Sequence, residues 1–143
     1  MNIKVIAIES AADRERAYAI RRRVFIEEQK VPEEIEMDAE DAEAYHALAL
    51  MGGVAVGTGR MLAHGKGEVK IGRMAVLMEH RKSGVGREII RFLMNEARRR
   101  GFVSAVLHAQ ISAEGFYLKE EFVPVGGIFD EAGIAHRKME RKL

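Results

Sequence analysis

The clearest pattern along the chain is a helical repeat of apolar residues between Gly84 and Arg100. Apolar positions there recur every three or four residues, which places them on one face of a helix. They are Val85, Ile89, Ile90, Leu93, Met94 and Ala97. Gly101 follows at the position where helices commonly end. The pattern therefore predicts an amphipathic helix over 84–100 that packs on a larger apolar surface.

Two other segments have helical character. One runs from Asp13 to about Gln29 and ends before Val31-Pro32, because the residue before a proline avoids the helical region. A shorter helix is predicted over residues 112–120, with Ser112 as its N-cap. Strand-like segments separate the three helices, so strands and helices alternate along the chain.

Seven short apolar stretches predict β-strands. They cover Ile3–Ile8, Ala47–Met51, Val54–Leu62, Glu68–Leu77, Val103–Ala109, Phe122–Phe129 and Ile134–Met139. Turns at Gly52-Gly53, at residues 64–67 and at residues 130–133 join neighbouring strands. The order along the chain is β-α-β-β-β-α-β-α-β-β. This order predicts an α/β (α+β) fold with one mixed sheet and helices on its faces, in a single domain over residues 1–143.

The composition limits the chemistry that the chain can perform. Of its 143 residues, 48% are hydrophobic and 31% are charged, as in a globular domain. It has no cysteine, which excludes disulfides, thiolate zinc sites, iron–sulfur clusters and a cysteine nucleophile. No apolar run is long enough to span a membrane, and the start lacks the pattern of a secretory signal. We therefore expect a cytoplasmic protein with no membrane partner.

The charges nearly balance overall but are unevenly distributed. Lysine and arginine number 23, and aspartate and glutamate 22, which argues against a nucleic-acid partner. Nine of the acids lie between Glu27 and Glu43. Basic clusters lie at Arg21–Arg23, at Arg81, Lys82 and Arg87, and at Arg98–Arg100. The acidic stretch is either a solvated loop or the cation-attracting end of an enzyme that takes one anionic and one amine substrate.

The loop before the longest helix has the chemistry of a phosphate site. It carries Arg81-x-x-Gly84-x-Gly86 between a predicted strand and the helix. The first N–H groups of a helix lack internal partners, and the helix dipole favours negative charge there. The two glycines let the backbone approach a phosphate closely, while Arg81, Lys82 and Arg87 add positive charge. The loop is therefore the leading candidate for binding a polyanion.

Other phosphate motifs fit the sequence poorly. The chain has no Gly-x-x-x-x-Gly-Lys-Ser/Thr sequence, which disfavours a P-loop nucleotidase. Gly52, Gly53, Gly57 and Gly59 do not form Gly-x-Gly-x-x-Gly, and strand-like residues follow them. We interpret these four glycines as structural residues of a turn and a strand.

In its place between a strand and a helix, the Arg-x-x-Gly-x-Gly sequence resembles the acetyl-CoA pyrophosphate loop of the GNAT N-acetyltransferase family. Residues 116–122, Phe-Tyr-Leu-Lys-Glu-Glu-Phe, are similar to the family's Phe-Tyr-x-Lys-x-Gly-Phe pattern. Glu121 stands where the family has glycine, a departure that affects the local turn more than the chemistry. Residues 24–32, Asp38, His46, residues 107–110 and residues 130–139 resemble the small bacterial ElaA/YjcF-type branch. The resemblance covers nearly the whole chain.

This resemblance implies a mostly antiparallel GNAT-like sheet, acetyl-CoA as co-substrate and no metal. It implies that Arg81, Lys82, Ser83, Gly84, Val85, Gly86 and Arg87 hold the pyrophosphate, and that Met74, Ala75 and Val76 offer backbone groups to the pantetheine arm. Tyr117 matches the family's general acid, and Gln110 would orient cofactor or substrate. Direct transfer in a ternary complex is the natural route, since no cysteine can carry the acyl group. The family often pairs, so a homodimer is a further expectation.

The general base is not fixed by the sequence. Glu28, Asp38, His46, His108 and His136 are all candidates, and a relay through water serves as well. Among them we assign Glu28 to catalysis, and Asp38 and His136 to binding the acceptor. Arg60 and Arg73, on neighbouring predicted strands, are candidates either for ion pairs or for binding an acidic substrate. The five histidines, His46, His64, His80, His108 and His136, show no metal-ligand spacing.

The leading hypothesis is an acetyl-CoA-dependent N-acetyltransferase that acts on a small primary amine. The acceptor is open among amino sugar phosphates, polyamines, amino acids and protein amines, and the acidic stretch favours a cationic amine. A rival hypothesis is a regulatory module that binds acetyl-CoA and catalyses nothing. The tyrosine at position 117 argues against that rival.

Overall fold

The computed structural model describes residues 2–143, which build one seven-stranded sheet with helices on both faces. The strands are β1 (Ile3–Ala7), β2 (Tyr45–Met51), β3 (Val54–Ala63), β4 (Glu68–Val76), β5 (Ser104–Gln110), β6 (Val123–Glu131) and β7 (Ile134–Lys142). Their order across the sheet is β1-β2-β3-β4-β5-β7-β6. Only β4 and β5 pair in parallel. The predicted mixed, mostly antiparallel sheet is confirmed.

Helix α1 (Ala11–Arg21) begins two residues earlier than predicted, because the side chain of Ser10 accepts a hydrogen bond from the Asp13 N–H. It continues as a wider π-helical segment over Arg22–Glu28, which ends before Val31-Pro32 as expected. Helix α3 (Val85–Arg99) buries all six of its predicted apolar residues against the sheet. No helix within residues 2–143 is both long enough and apolar enough to cross a membrane.

The acidic stretch is not the solvated loop that one interpretation of the sequence suggested. It folds into helix α2 (Glu33–Glu36) and a 3₁₀ turn over Ala39–Ala42. Its Glu36 and Asp41 side chains are buried. Buried carboxylates need partners, so this segment must be neutralised from inside the protein.

Helix α4 (Glu114–Lys119) differs from the prediction at its start. A 3₁₀ turn over Ile111–Ala113 precedes it, and the residue at the N-cap position is Ala113, which makes no side-chain cap. The predicted cap at Ser112 is therefore wrong. The final hairpin is also tighter than expected, because β6 and β7 extend to leave only Ala132-Gly133 between them.

Two glycines of β3 let helix α3 lie unusually close to the sheet. A Cβ atom on Gly57 would come within 2.8 Å of the Val85 side chain and 2.9 Å of Ile89. A Cβ atom on Gly59 would come within 2.6 Å of the Met74 sulfur. Any side chain here would push the helix away. The two glycines are thus structural, as predicted, and they fix the start of α3 above β3 and β4.

Strands β4 and β5 pair over only four residues each and then part. Their pairing runs from Glu68 with Ser104 to Ile71 with Leu107. Beyond this point β4 bulges, since its register with β3 shifts between the pairs Arg60–Gly72 and Thr58–Ala75. Meanwhile β5 keeps its pairing with β7 as far as Gln110. The β4 edge over residues 72–76 is therefore left open toward β5.

The turn after α4 yields a test of stability. Glu121 holds a left-handed backbone conformation, with φ of 71°, which costs a residue with a Cβ atom about 1 kcal/mol. We expect Glu121→Gly to raise the free energy of unfolding by about 0.5–1 kcal/mol, measured by urea denaturation. The matched control Glu121→Ala loses the same exposed contact with Arg141 but keeps the strain. Equal stability of the two variants would contradict the expectation.

Candidate active site

A cleft of about 1370 Å³ opens where β4 and β5 part. It brings together every residue assigned to a site from the sequence except Glu28. Those lining it are Asp38, Met74, Ala75, Val76, Arg81, Lys82, Ser83, Gly84, Val85, Gly86, Arg87, Gln110, Tyr117 and His136. The cleft passes from the α3 face of the sheet to the face covered by α1 and by the acidic segment, the name used below for residues 33–42.

The loop before α3 leaves a run of backbone donors free. Within residues 2–143, no N–H group from Lys82 to Arg87 donates to a backbone or side-chain acceptor. Lys82 and Gly84 have positive φ angles of 66° and 92°, and Lys82, Ser83 and Arg87 are exposed. Successive N–H groups in such a turn form a concave anion site, and the helix dipole adds to it. Lys82, Ser83 and Arg87 make the loop accessible, and an arrangement of unpaired N–H donors at a helix start suits an anion.

Arg81 is held at the edge of this loop by two partners. Its guanidinium makes a bidentate pair with the Glu28 carboxylate, at 2.7 and 2.8 Å, and its Nε donates to the Val76 carbonyl at 2.9 Å. The hydrogen bond from Arg81 lowers the pKa of Glu28 below its ordinary value. Glu28 thus lies beside the loop and not with the candidate catalytic groups, and it stays ionised.

Tyr117 lies deep in the cleft on helix α4. Its ring packs edge-on between Phe116 at 4.9 Å and Phe122 at 5.9 Å. Only 7% of the residue is exposed, and burial raises the pKa of its phenol. Phe116 in turn lies against Gly86, where an added Cβ would come within 3.3 Å of the ring. The tyrosine and the loop are therefore fixed relative to each other, and the phenol stays protonated at neutral pH.

Gln110, at the end of β5, pairs with a partner that the sequence did not suggest. Its amide nitrogen donates to the Gln29 side chain at 2.8 Å, and the Gln29 amide lies 3.4 Å from the Gln110 oxygen. The pair joins β5 to the end of the π-helical segment across the cleft. No spacing signal links two glutamines 81 residues apart, so only the fold reveals this contact.

Three arginines, on α1, β3 and β4, neutralise the carboxylates of the acidic segment. Arg21 binds Glu36 and Asp41 at 2.7 Å each, and its side chain is 1% exposed. Arg60 binds Asp38 at 2.8 Å and Asp41 at 2.7 Å. We call these groups, together with Arg73, the arginine network. Arg60 thus forms the ion pairs that one of its two alternatives predicted.

Arg73 ties this network to the β4 bulge. It contacts the Glu36 carboxylate at 3.2 Å and Asp38 at 3.0 Å, and it donates to the carbonyl oxygens of Ile35 and Glu36. Its backbone is left-handed, with φ of 53°, which is strained for a residue other than glycine. Both oxygens of Asp38 are occupied by Arg60 and Arg73. Asp38 therefore faces the cleft as one half of an ion pair.

The acids of the network do not titrate alike. Burial raises the pKa of Asp41, but hydrogen bonds from Arg21 and Arg60 outweigh it and leave that pKa below its ordinary value. A hydrogen bond from Arg60 lowers the pKa of Asp38. Burial dominates at Glu36 and raises its pKa despite the nearby arginines. The aspartates are thus firmly ionised, and the glutamate is the acid that protonates first.

The histidines fall into different environments. His46 is buried under Tyr18 at 6.5 Å, and its Nε2 lies 2.9 Å from the Asp41 carbonyl. Burial lowers its pKa, so it is neutral. His108 and His136 line the cleft beside Glu131. Within residues 2–143, no three metal-ligating side chains form a group that could hold an ion.

Residues 8–143 match the family model of the acetyltransferase (GNAT) domain. The chain belongs to the GNAT acetyltransferase family. Among its relatives, YyaT of Bacillus subtilis is 38% identical, over all of this chain and 97% of that protein. YjcF of the same organism, an N-acetyltransferase by name, is 34% identical over 96% of this chain and 98% of its own length.

Solved structures agree with this placement in the GNAT family. A Lactobacillus plantarum protein named for N-acetyltransferase activity superposes with a TM-score of 0.91 at 28% identity, over 99% of this chain and 98% of that one. Escherichia coli ElaA gives a TM-score of 0.86 at 23% identity, over 98% of this chain and 99% of its own, and so supports the fold. The protein is therefore an acyltransferase, and the co-substrate of its family is acetyl-CoA. The free N–H groups from Lys82 to Arg87 fit its diphosphate.

The arginine network yields a second stability test. Asp41 accepts from Arg21 and Arg60 with its side chain 9% exposed, whereas the neighbouring Glu40 reaches Arg60 only at 3.5 Å and is 56% exposed. We expect Asp41→Asn to lower the free energy of unfolding by about 3 kcal/mol, because it leaves buried guanidinium charge uncompensated. Glu40→Gln, with the same change in charge, should cost less than about 0.5 kcal/mol. Similar urea midpoints for the two variants would refute the buried pairing.

Proposed function

We propose that this protein transfers an acetyl group from acetyl-CoA directly to the primary amine of a small molecule. The observation that carries the proposal is the run of free N–H groups from Lys82 to Arg87 at one end of a cleft that has Tyr117 deep within it. One end binds a diphosphate, and the other holds a proton donor. An acetyl thioester bound between them would have its sulfur near the phenol.

The diphosphate would rest on the loop amides, with Lys82 and Arg87 adding charge. Both side chains are exposed, and Arg87 has only a weak contact of 3.9 Å with Glu88. Arg81 is pre-positioned by Glu28 and needs no reordering on binding. The open β4 edge over residues 74–76 would hydrogen-bond the pantetheine amides like an added strand. We therefore assign Glu28 to positioning Arg81 and not to proton transfer.

Tyr117 would assist departure of the thiolate. Since burial raises the pKa of its phenol, the group stays protonated and donates a hydrogen bond to the sulfur as negative charge develops. The chain has no cysteine to carry the acetyl group, so the amine must attack the thioester directly. Gln110, fixed by Gln29, is placed to orient either partner at the end of β5.

The acceptor would enter from the face of the sheet covered by the acidic segment. Asp38 and His136 line this part of the cleft, as do Glu40 and Glu131. Because the arginine network neutralises Asp38, the preference for a cationic amine depends on the more exposed Glu40 and Glu131. A cytoplasmic location and a homodimer stay predictions from the sequence.

The proposed role of the loop can be tested by measuring acetyl-CoA affinity. Gly84 has φ of 92°, and an alanine there would relax the loop out of a conformation that binding must then restore. Since the strain is on the order of 1–2 kcal/mol, we expect Gly84→Ala to weaken acetyl-CoA about tenfold in calorimetry. The control is Gly101→Ala, which has the same strain at φ of 89° beyond the far end of α3 and should bind normally. An unchanged acetyl-CoA affinity in Gly84→Ala would show that the loop does not bind the cofactor.

The proposed catalytic role of Tyr117 can be tested by measuring kcat. We expect Tyr117→Phe to lower kcat about a hundredfold or more while the acetyl-CoA affinity is unchanged, because the hydroxyl acts only as charge develops on sulfur. Thiol release from acetyl-CoA over a panel of primary amines provides the assay. Tyr45→Phe is the control, since Tyr45 stacks on Phe92 at 6.3 Å away from the cleft. A Tyr117→Phe variant with normal kcat would leave the phenol with a packing role alone.

A further inference from the structure

A histidine and a carboxylate meet in the cleft at the acceptor end. The His108 Nδ1 atom lies 2.8 Å from Glu131 Oε1, and both residues line the cleft. The Phe129 ring packs edge-on against His108 at 5.0 Å and stacks on His136 at 6.0 Å. An imidazole nitrogen this close to a carboxylate carries the hydrogen. In the neutral ring, Nε2 is then the nitrogen with a free lone pair.

His108 also lies at the point where the cleft begins. The last β4–β5 pair joins Ile71 and Leu107, so His108 is the first β5 residue with no partner on β4. The His108 and Gln110 side chains lie on the same face of β5, because side chains two apart in a strand share a face. A thioester bound along the open β4 edge would therefore lie between that edge and the β5 segment that begins at His108.

The other candidate bases are engaged elsewhere. Both oxygens of Glu28 bind Arg81, and both oxygens of Asp38 bind arginines. His46 is buried outside the cleft. His136 donates through Nδ1 to the Ile134 carbonyl at 2.7 Å, and its Nε2 lies 3.9 Å from Glu131. Only His108 combines an oriented ring, 28% exposure of its side chain and a place in the cleft.

We propose that His108 is the general base of the acetyl transfer and that Glu131 is its positioning residue; this rests on the proposed function. The acceptor ammonium gives one proton to His108 Nε2, and the ring becomes an imidazolium stabilised by Glu131. The amine lone pair then forms the C–N bond to the acetyl carbon as the C–S bond breaks. The sulfur leaves with the bonding electrons as a thiolate that Tyr117 stabilises. The imidazolium passes this proton to solvent, and the neutral His108 Nε2 then accepts the second N–H proton that the nitrogen must lose to become the amide. The amide and the thiolate thus form with two protons released to solvent.

The charged groups around His108 come from three strands. Glu131 lies on β6, Lys138 stands directly opposite His108 on β7 with His136 two residues before it, and Lys70 and Arg73 reach the cleft from β4. Of these groups, Glu131 is the one in direct contact with the ring, at 2.8 Å. Arg73 is itself paired with Glu36 and Asp38.

Substitution of His108 tests the proposal. Wild type and His108→Gln are compared by thiol release with acetyl-CoA and alkylamines from the panel, at pH 7 and pH 9.5. We expect a 10²–10⁴-fold loss of kcat at pH 7 with unchanged acetyl-CoA affinity. The loss should shrink at pH 9.5, where more of the amine is already neutral. Added imidazole should restore part of the activity of His108→Ala, which a purely structural role would not allow.

The chain offers a matched control in a second histidine–carboxylate pair. His64 Nδ1 lies 2.8 Å from Glu68 Oε1 in the β3–β4 turn, outside the cleft. His64→Gln should therefore have wild-type kcat at both pH values. Glu131→Gln should lower kcat without raising the acetyl-CoA dissociation constant, and Glu131→Asp should recover part of the loss.

The outcomes separate this inference from the proposed function. If wild type acetylates an amine and His108→Gln does so with a normal kcat and pH profile, His108 is not the base, while the transferase assignment stands. If wild type binds acetyl-CoA but acetylates none of the amines, the proposed function fails and the base fails with it. Circular dichroism and urea midpoints equal to wild type confirm that each variant is folded.

Discussion

The parting of β4 from β5 is the constraint on which the rest of the structure depends. Parallel neighbours normally continue their ladder, and an unpaired buried edge is unfavourable. Here the ladder stops after Ile71 because β4 bulges at Arg73 and Met74 opposite Gly59. Gly59 leaves room for this bulge, since a Cβ atom there would come within 2.6 Å of the Met74 sulfur. The open edge and the cleft both follow from this local distortion, and a bound thioester ligand would supply the missing hydrogen bonds.

The arginine network explains how the distortion persists. Buried ion pairs give little net stability, because desolvation offsets their attraction. Here the ion pairs fix the position of Arg73. Its side chain binds two carboxylates and two carbonyl oxygens of the acidic segment, and these contacts hold its strained backbone in place. The acidic segment therefore acts as an internal counterion for the bulge. This is why most of its negative charge is neutralised internally and does not form the open, cation-attracting site that one interpretation of the sequence suggested.

The features that could be predicted from the sequence are those encoded locally. The amphipathic pattern of α3, the glycines of its loop and the order of strands each involve neighbouring residues, so periodicity and turn chemistry suffice. The partners of the site residues are not local. Glu28 meets Arg81 across 53 residues and His108 meets Glu131 across 23. Neither spacing carries a signal, so Glu28 was expected at the reaction centre and the Glu131 contact was missed.

One face of the cleft offers mainly backbone groups and the other mainly side chains, and this difference bears on substrate specificity. On the α3 face, the groups available to a ligand are backbone donors of a loop and a strand edge, which any sequence with the same glycines and bulge can present. On the other face, they are side chains: Glu40, His108, Glu131 and His136. Backbone recognition persists as side chains diverge, whereas side-chain recognition changes with each substitution. If the proposed function holds, relatives that share the fold would share acetyl-CoA, while the acceptor would be determined by the few residues around His108.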